Sequence, residues 1–306
     1  MSRAAAETAQ AAAAGAAPVA RRRRRGGCGA LRRRGGCGAL ALLAALALPA
    51  GPAAADPWIP AAGDGTIKPM LRLFNANESY PSAGGFTTNR VPSGTESKTE
   101  YRLTGVQGLG GNFSLEYDFR AALVRKSELK HHHTVSTKAW GLEDQKIGLN
   151  YGLRQSKGFA DSVTLNVVLP TGLAGSSPAL GTGRWAIEPD YQVGAASGRL
   201  SASLAVGPRQ FLDGAVTQLR ADARVGFAAT RRLTLAASLF YVRSIQNRRA
   251  LAPAVRGELY NRLRLGAAAE FTVTKQFRPF VAYEVDVAGR GIHAGERITF
   301  GVAFHY

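Results

Sequence analysis

Residues 296–306 alternate without interruption. Ile298, Phe300, Val302, Phe304 and Tyr306 are apolar or aromatic, while Arg297, Thr299, Gly301, Ala303 and His305 between them are small or polar. Strand side chains point to opposite faces with period two, so the pattern predicts one apolar and one polar face.

The same period recurs from Gly65 onward in segments of about ten residues, each followed by a turn or loop. The apolar sets are Ile67, Leu71 and Leu73; Tyr101 and Leu103; Phe113, Leu115, Tyr117 and Phe119; Ile147, Leu149, Tyr151 and Leu153; and Val163, Leu165, Val167 and Leu169. They continue with Trp185, Ile187, Tyr191 and Val193; Leu200, Leu204 and Val206; Leu219, Val225 and Phe227; Leu233, Leu235 and Leu239; Leu259, Leu263, Leu265 and Phe271; and Val281, Tyr283, Val285 and Val287. With the final segment these make twelve strands. Phe240 interrupts the polar face of its segment.

Connections alternate as well. Short turns are expected near 108–111, 155–159, 196–198, 230 and 274–276, and longer links near 75–97, 125–142, 171–183, 208–214, 244–256 and 289–294. Short turns at one end and long loops at the other are the asymmetry of bacterial outer-membrane barrels, and an even strand count leaves both termini on the periplasmic side. Lipid cannot hydrogen-bond a free sheet edge, so a spanning sheet must close. The fold class expected is therefore all-β, a closed antiparallel transmembrane β-barrel of about 12 strands. A soluble sandwich would not require ten-residue strands. A spanning helix is disfavoured, because the longest uncharged run, 162–183, contains Pro170, Pro178 and several glycines.

Closure turns the polar face into a shared interior. The basic residues assigned to it are Lys68, Arg72, Arg102, Arg120, Lys146, Arg184, Arg220, Arg224, Arg262, Arg264 and Arg297. The acidic ones are Glu100, Glu116, Asp118, Glu188, Asp190, Asp222, Glu258, Glu270, Glu284 and Asp286. Eleven against ten is close to balance. A wide pore selective for one ion sign would bias its lining, so a narrow, gated or largely occluded lumen is expected. Trp185, Tyr101, Tyr117, Tyr241, Tyr260 and Tyr283 are candidates for aromatic girdles at the membrane interfaces.

Composition changes the picture mainly at the front of the chain. The net charge of +18 suggests a nucleic-acid partner, but nine arginines and one acid precede Asp56, which leaves 30 basic and 20 acidic residues, or +10, for residues 56–306. Residues 39–48 form a ten-residue apolar run, followed by Ala53-Ala54-Ala55. That run is too short to span a bilayer as a helix, and the order of basic, apolar and small-residue regions predicts a cleaved export signal. Residues 1–55 are read as a signal peptide with a long basic region and 56–306 as the barrel. No nucleic-acid partner is expected. Both cysteines, Cys28 and Cys37, lie in the leader, so the exported part has no thiolate chemistry.

Catalytic, cofactor and metal sites are not expected. The run His131-His132-His133 falls in an expected loop, and three adjacent imidazoles on a strand cannot converge on one metal. The segment V-Q-G-L-G-G-N at 106–112 lacks the Lys-Ser/Thr of a phosphate loop and reads as a turn. His293 and His305 have no serine and acid spaced with them as a nucleophile and base would be.

Between 167 and 185 the chain reads V-V-L-P-T-G-L-A-G-S-S-P-A-L-G-T-G-R-W. With W-I-P-A-A-G-D-G at 58–65 and the strand D-Q-K-I-G-L-N-Y-G-L, this resembles the outer-membrane transporter family related to meta-pathway phenol-degradation proteins, and the similar XagA-like outer-membrane proteins. The matching elements are Leu169-Pro170-Thr171-Gly172 and Gly181-Thr182-Gly183. The resemblance implies a barrel associated with uptake of hydrophobic or aromatic compounds and carries no catalytic residues.

The expected function is a passive or gated outer-membrane channel for small, hydrophobic or aromatic solutes in a Gram-negative envelope. The expected partners are outer-membrane lipids, lipopolysaccharide, the barrel assembly machinery and the solute itself, with no cofactor. Phe300, Val302, Phe304 and Tyr306 are expected to serve as the assembly signal. A structural or adhesion barrel whose loops bind lipopolysaccharide or polysaccharide is the first alternative. A lipid hydrolase using His293 or His305 is the second.

Overall fold

The computed structural model describes residues 57–130, 133–213, 216–246 and 259–306, except for the side chains of residues 129, 130 and 133. The expected signal peptide lies outside the described residues, as do His131, His132 and Glu258.

The first strands are β1 (Gly65–Tyr80), β2 (Val91–Gly110), β3 (Phe113–Lys130), β4 (His133–Leu142), β5 (Gln145–Gln155) and β6 (Phe159–Leu169). The remainder are β7 (Ala186–Ser197), β8 (Leu200–Phe211), β9 (Val216–Ala228), β10 (Leu233–Gln246), β11 (Asn261–Phe271), β12 (Phe277–Arg290) and β13 (Ile292–His305). All pairings are antiparallel, and β1 pairs with both β2 and β13, so the ladder returns on itself. The seam is completed by Gly65 and Tyr306, whose backbone groups exchange hydrogen bonds of 2.9 and 3.1 Å.

The thirteen segments occupy twelve wall positions. The first part of β3 pairs with β5 from Phe113 to Asp118, and its second part pairs with β4 from Ala121 to Lys130. β4 and β5 are thus successive pieces of one wall strand, parted at Glu143 and Asp144.

The apolar sets face outward. Tyr101, Leu149, Leu165, Leu204, Val225, Leu265 and Phe300 are all between about 40 and 63% exposed. In water such a surface would be a very large apolar patch; in a bilayer it is the lipid-facing wall. Their neighbours in sequence are buried and polar: Ser114, Asp118, Asn150, Thr164, Asn166, Glu188, Gln192, Gln218, Asp286 and Thr299. Aromatic residues gather toward the short-turn end, where Phe113 and Tyr151 pair at 4.8 Å and Phe277 and Phe304 at 5.3 Å. Toward the other end Trp140 and Trp185 are exposed. Tyr260, expected in a girdle, instead shares the inner face with Arg262, whose guanidinium lies 5.4 Å from its ring.

The short turns fall where expected. Between β2 and β3, Gly111 and Asn112 have φ of 59° and 65°, the left-handed pair that a tight hairpin needs. Several of the long links are shorter than the pattern indicated. β1 and β2 extend to Tyr80 and Val91, 125–142 is mostly the β3–β4 hairpin, β8 continues to Phe211, and 289–294 is a turn at Gly291 (φ 68°). Beyond the bilayer both faces of a strand can meet water, so pairing continues although the alternation in hydrophobicity stops.

Candidate functional site

The closed wall brings the inward charges together as a belt around the interior. On one side, Arg72 donates to Glu100 at 3.2 Å and to Glu284 at 3.0 Å. Glu284 also accepts from Arg297 at 3.3 Å, and Asp286 pairs with Arg264 at 3.0 Å and Arg262 at 3.3 Å. Lys98 bridges Glu100 at 2.7 Å and Glu143 at 2.6 Å. These residues come from β1, β2, β11, β12, β13 and the β4–β5 link, so the pairs tie together strands far apart in sequence.

Next around the wall, Asp118 accepts two 2.7 Å hydrogen bonds from Arg102 and also pairs with Arg120. Further on, Glu188, fully buried, is shared by Lys146 at 3.5 Å, Arg220 at 2.7 Å and Arg209. The arc between β9 and β11 is closed by a ring. Phe240 projects inward, with the Arg220 guanidinium 5.6 Å and the Arg264 guanidinium 5.8 Å from its centre. The interruption of the polar pattern at Phe240 is therefore a member of the belt.

Other assigned residues lie above or below this level. Glu116 accepts from Asn150 at 3.1 Å and Asp190 from Asn166 at 3.3 Å, both nearer the short turns. Asp222 lies beside Phe240 in the β9–β10 register, Arg224 follows it on the inner face of β9 toward the short turns, and Lys68 lies near the start of β1. Arg184 pairs with Asp213 near the opposite rim. Lys98, Glu143 and Arg209 were missed by the pattern. Lys98 and Arg209 are inside strands that extend past their alternating part, and Glu143 sits at the break between β4 and β5.

Both mouths are narrowed by backbone. At the short-turn end, Trp58 donates its indole N–H to Ser156 O at 2.7 Å, Ile59 N–H donates to Gln155 Oε1 at 3.0 Å, and Gln155 Nε2 donates to Pro57 O at 2.9 Å. The lead-in thus runs inside the wall from β1 to the ends of β5 and β7. It passes over inward-facing glycines: a side chain at Gly108 would meet the carbonyls of Pro60 and Ala61, and one at Gly194 would meet Pro57 and Trp58.

At the long-loop end, inward positions above the belt turn apolar. Val168, Ala186, Phe211 and Val216 form one buried cluster; Ala122, Val124 and Ala139 form another with Leu180 from the β6–β7 loop. Asp144 fastens that loop: Oδ1 accepts from Gly172 N at 3.1 Å, and Oδ2 accepts from Thr182 N and Oγ1 at 2.7 and 2.8 Å. A side chain at Gly172 or Gly181 would strike the Asp144 carboxylate. The two glycine motifs that carry the family resemblance are thereby the two sides of one carboxylate-centred clasp. Opposite it, the β1–β2 loop is held over β12 by the Thr87–Gly289 bridge and by Arg90, which donates to Asp286 O at 2.8 Å.

At the same rim, His293 stands between Ser93, 3.4 Å from Nδ1, and Glu96, 3.2 Å from Nε2. Ser93 Oγ is also within 3.2 Å of Gly94 O. Among the described residues, no group of three or more His, Cys, Asp or Glu side chains is placed to hold a metal ion.

A closed antiparallel barrel with an apolar exterior, aromatic residues near both ends and a charged interior defines an outer-membrane β-barrel. The family model described as "Putative MetA-pathway of phenol degradation" matches residues 83–301, and the chain belongs to that family. No curated protein matches the sequence. Among solved structures, the COG4313 outer membrane channel from Pseudomonas putida F1 superimposes with a TM-score of 0.62 at 14% identity, over 83% of this chain and 99% of that one. The toluene transporter TodX of P. putida aligns over 80% of this chain and 90% of its own, with a TM-score of 0.41 and 8% identity. The NanC porin aligns over 76% and 98%, with a TM-score of 0.44 and 12% identity.

Proposed function

We propose that the chain is a gated diffusion channel for small solutes across the outer membrane, with aromatic compounds among them. The observation that carries this reading is the belt: a ring of buried, mutually paired charges across the interior of a closed barrel. Such a ring contributes little to stability compared with apolar packing, yet it gives a polar route through a wall that lipid surrounds. The β6–β7 loop above the belt and the lead-in below it restrict both mouths.

Export through a cleaved leader, folding by the barrel assembly machinery and contact with lipopolysaccharide fit this reading. Phe300, Val302, Phe304 and Tyr306 suit recognition during insertion, since Phe300, Phe304 and Tyr306 are exposed on the last strand. Purified protein in planar bilayers is expected to give small, closing conductance steps, and Trp58→Ala is expected to enlarge them by loosening the lead-in. A folded protein silent to ions and to every small solute would overturn the reading.

A further inference from the structure

The belt is not electrically even. Asp118 serves two guanidinium groups and Glu188 serves three cations. Arg220 and Arg264 both approach the Phe240 ring, with Asp222 beside it in the β9–β10 register. Arg264 is largely buried, and its Nη2 has no hydrogen-bond partner. Even with Asp222 counted, the ten basic side chains of the belt outnumber its seven carboxylates, Glu100, Asp118, Glu143, Glu188, Asp222, Glu284 and Asp286. Above this excess of positive charge the interior walls are apolar, ending at Phe211 on β8 and Leu180 from the loop.

We infer that the belt is an anion filter, and that its preferred cargo is a small organic anion with an apolar body, with Arg220, Phe240 and Arg264 setting the preference. The inference rests on the channel reading and names its substrate class. In a water-poor constriction a guanidinium recognises a carboxylate or sulfonate by charge and by paired N–H donors, while an apolar vestibule favours a solute that sheds water from its other end. Cations are repelled at the same place. Phe240 matters because its ring lies against two guanidinium groups at a lining position where it adds no charge of its own.

The test uses the full-length protein in planar bilayers. Reversal potentials are measured first in a potassium chloride gradient, then with benzenesulfonate opposed to benzyltrimethylammonium, two aromatic ions of opposite charge. Wild-type protein is expected to prefer chloride over potassium and benzenesulfonate over benzyltrimethylammonium, and to pass benzenesulfonate better than methanesulfonate. Phe240→Glu adds a carboxylate against Arg220 and Arg264 and is expected to lower the anion preference at least about threefold, since charge focused in a cleft changes local ion concentration about tenfold or more. Phe240→Leu, which loses the ring contacts to Arg220 and Arg264 but adds no charge, is expected to lower it less than Phe240→Glu does. Both variants are first checked for heat-modifiable migration, the sign of a folded barrel. Conductance without anion preference, or an unchanged preference in folded Phe240→Glu, overturns the filter and leaves the channel standing. Folded wild-type protein with no conductance to any ion overturns the channel and the filter with it.

Discussion

The Asp144 carboxylate holds Thr182 twice, through its backbone N–H at 2.7 Å and its hydroxyl at 2.8 Å. The bond joins the break between β4 and β5 to the far side of the β6–β7 loop, and that loop delivers Leu180 to the buried cluster over the interior. A polar clasp therefore decides where an apolar cover sits.

Removing the clasp should open the outer mouth. Each hydrogen bond to a charged group contributes about 1.5–3 kcal/mol, and Asp144→Ala removes several at once. The wall pairing of β5 does not depend on them. Single-channel conductance and liposome swelling are expected to rise, with a lowered thermal stability but a barrel that still folds. Unchanged permeability with a freed loop would mean that the loop does not gate.

Glu188 should matter for stability in a way its neighbours do not. It is fully buried among Lys146, Arg209 and Arg220, so Glu188→Gln leaves three cations without their shared counter-charge. Breaking a buried pair from one side costs about 3–5 kcal/mol. Urea unfolding in detergent or lipid is expected to shift by that order, and a loss below about 1 kcal/mol, the scale of exposed pairs, would show that water screens the site.

The face assignment is tested at Leu204, which is 40% exposed on β8. Leu204→Arg should destabilise the folded barrel by about 2–4 kcal/mol if the site lies near the bilayer midplane, whereas Leu204→Phe should cost almost nothing. Equal effects of the two would place the residue away from lipid.

Tyr306 closes the seam through its backbone pairing with Gly65 and a hydroxyl contact to Gln107. Deleting it should lower the amount of barrel in the outer membrane before any change in transport by the molecules that do insert. Cell fractionation with quantitative immunoblotting measures the first, and solute uptake normalised to inserted protein measures the second. Normal insertion would remove the assembly role.

Twelve wall positions, the seam between first and last strands and the inward identity of Arg72, Asp118, Glu188 and Glu284 were legible in the sequence, because a lipid-facing wall forces strict alternation. What stayed hidden has physical reasons. The β3–β4 hairpin rises beyond the bilayer, where both faces may be polar, and so it read as a loop. Arg209 was hidden because the apolar alternation of β8 stops at Pro208, which made 208–214 read as a loop. The Asp144 clasp joins residues nearly forty positions apart, and no local period announces it, although the glycines at 172 and 181 marked its other half. The near-equal charge totals concealed that several cations share single carboxylates in the belt, as Lys146, Arg209 and Arg220 share Glu188.

The most direct test of the account is conductance through the wild-type barrel and its Asp144→Ala variant in the same planar bilayer. The wild type is expected to give small, frequently closed steps and the variant larger, longer openings. Folded protein that gives no steps in either form, together with no small-solute flux, would contradict it.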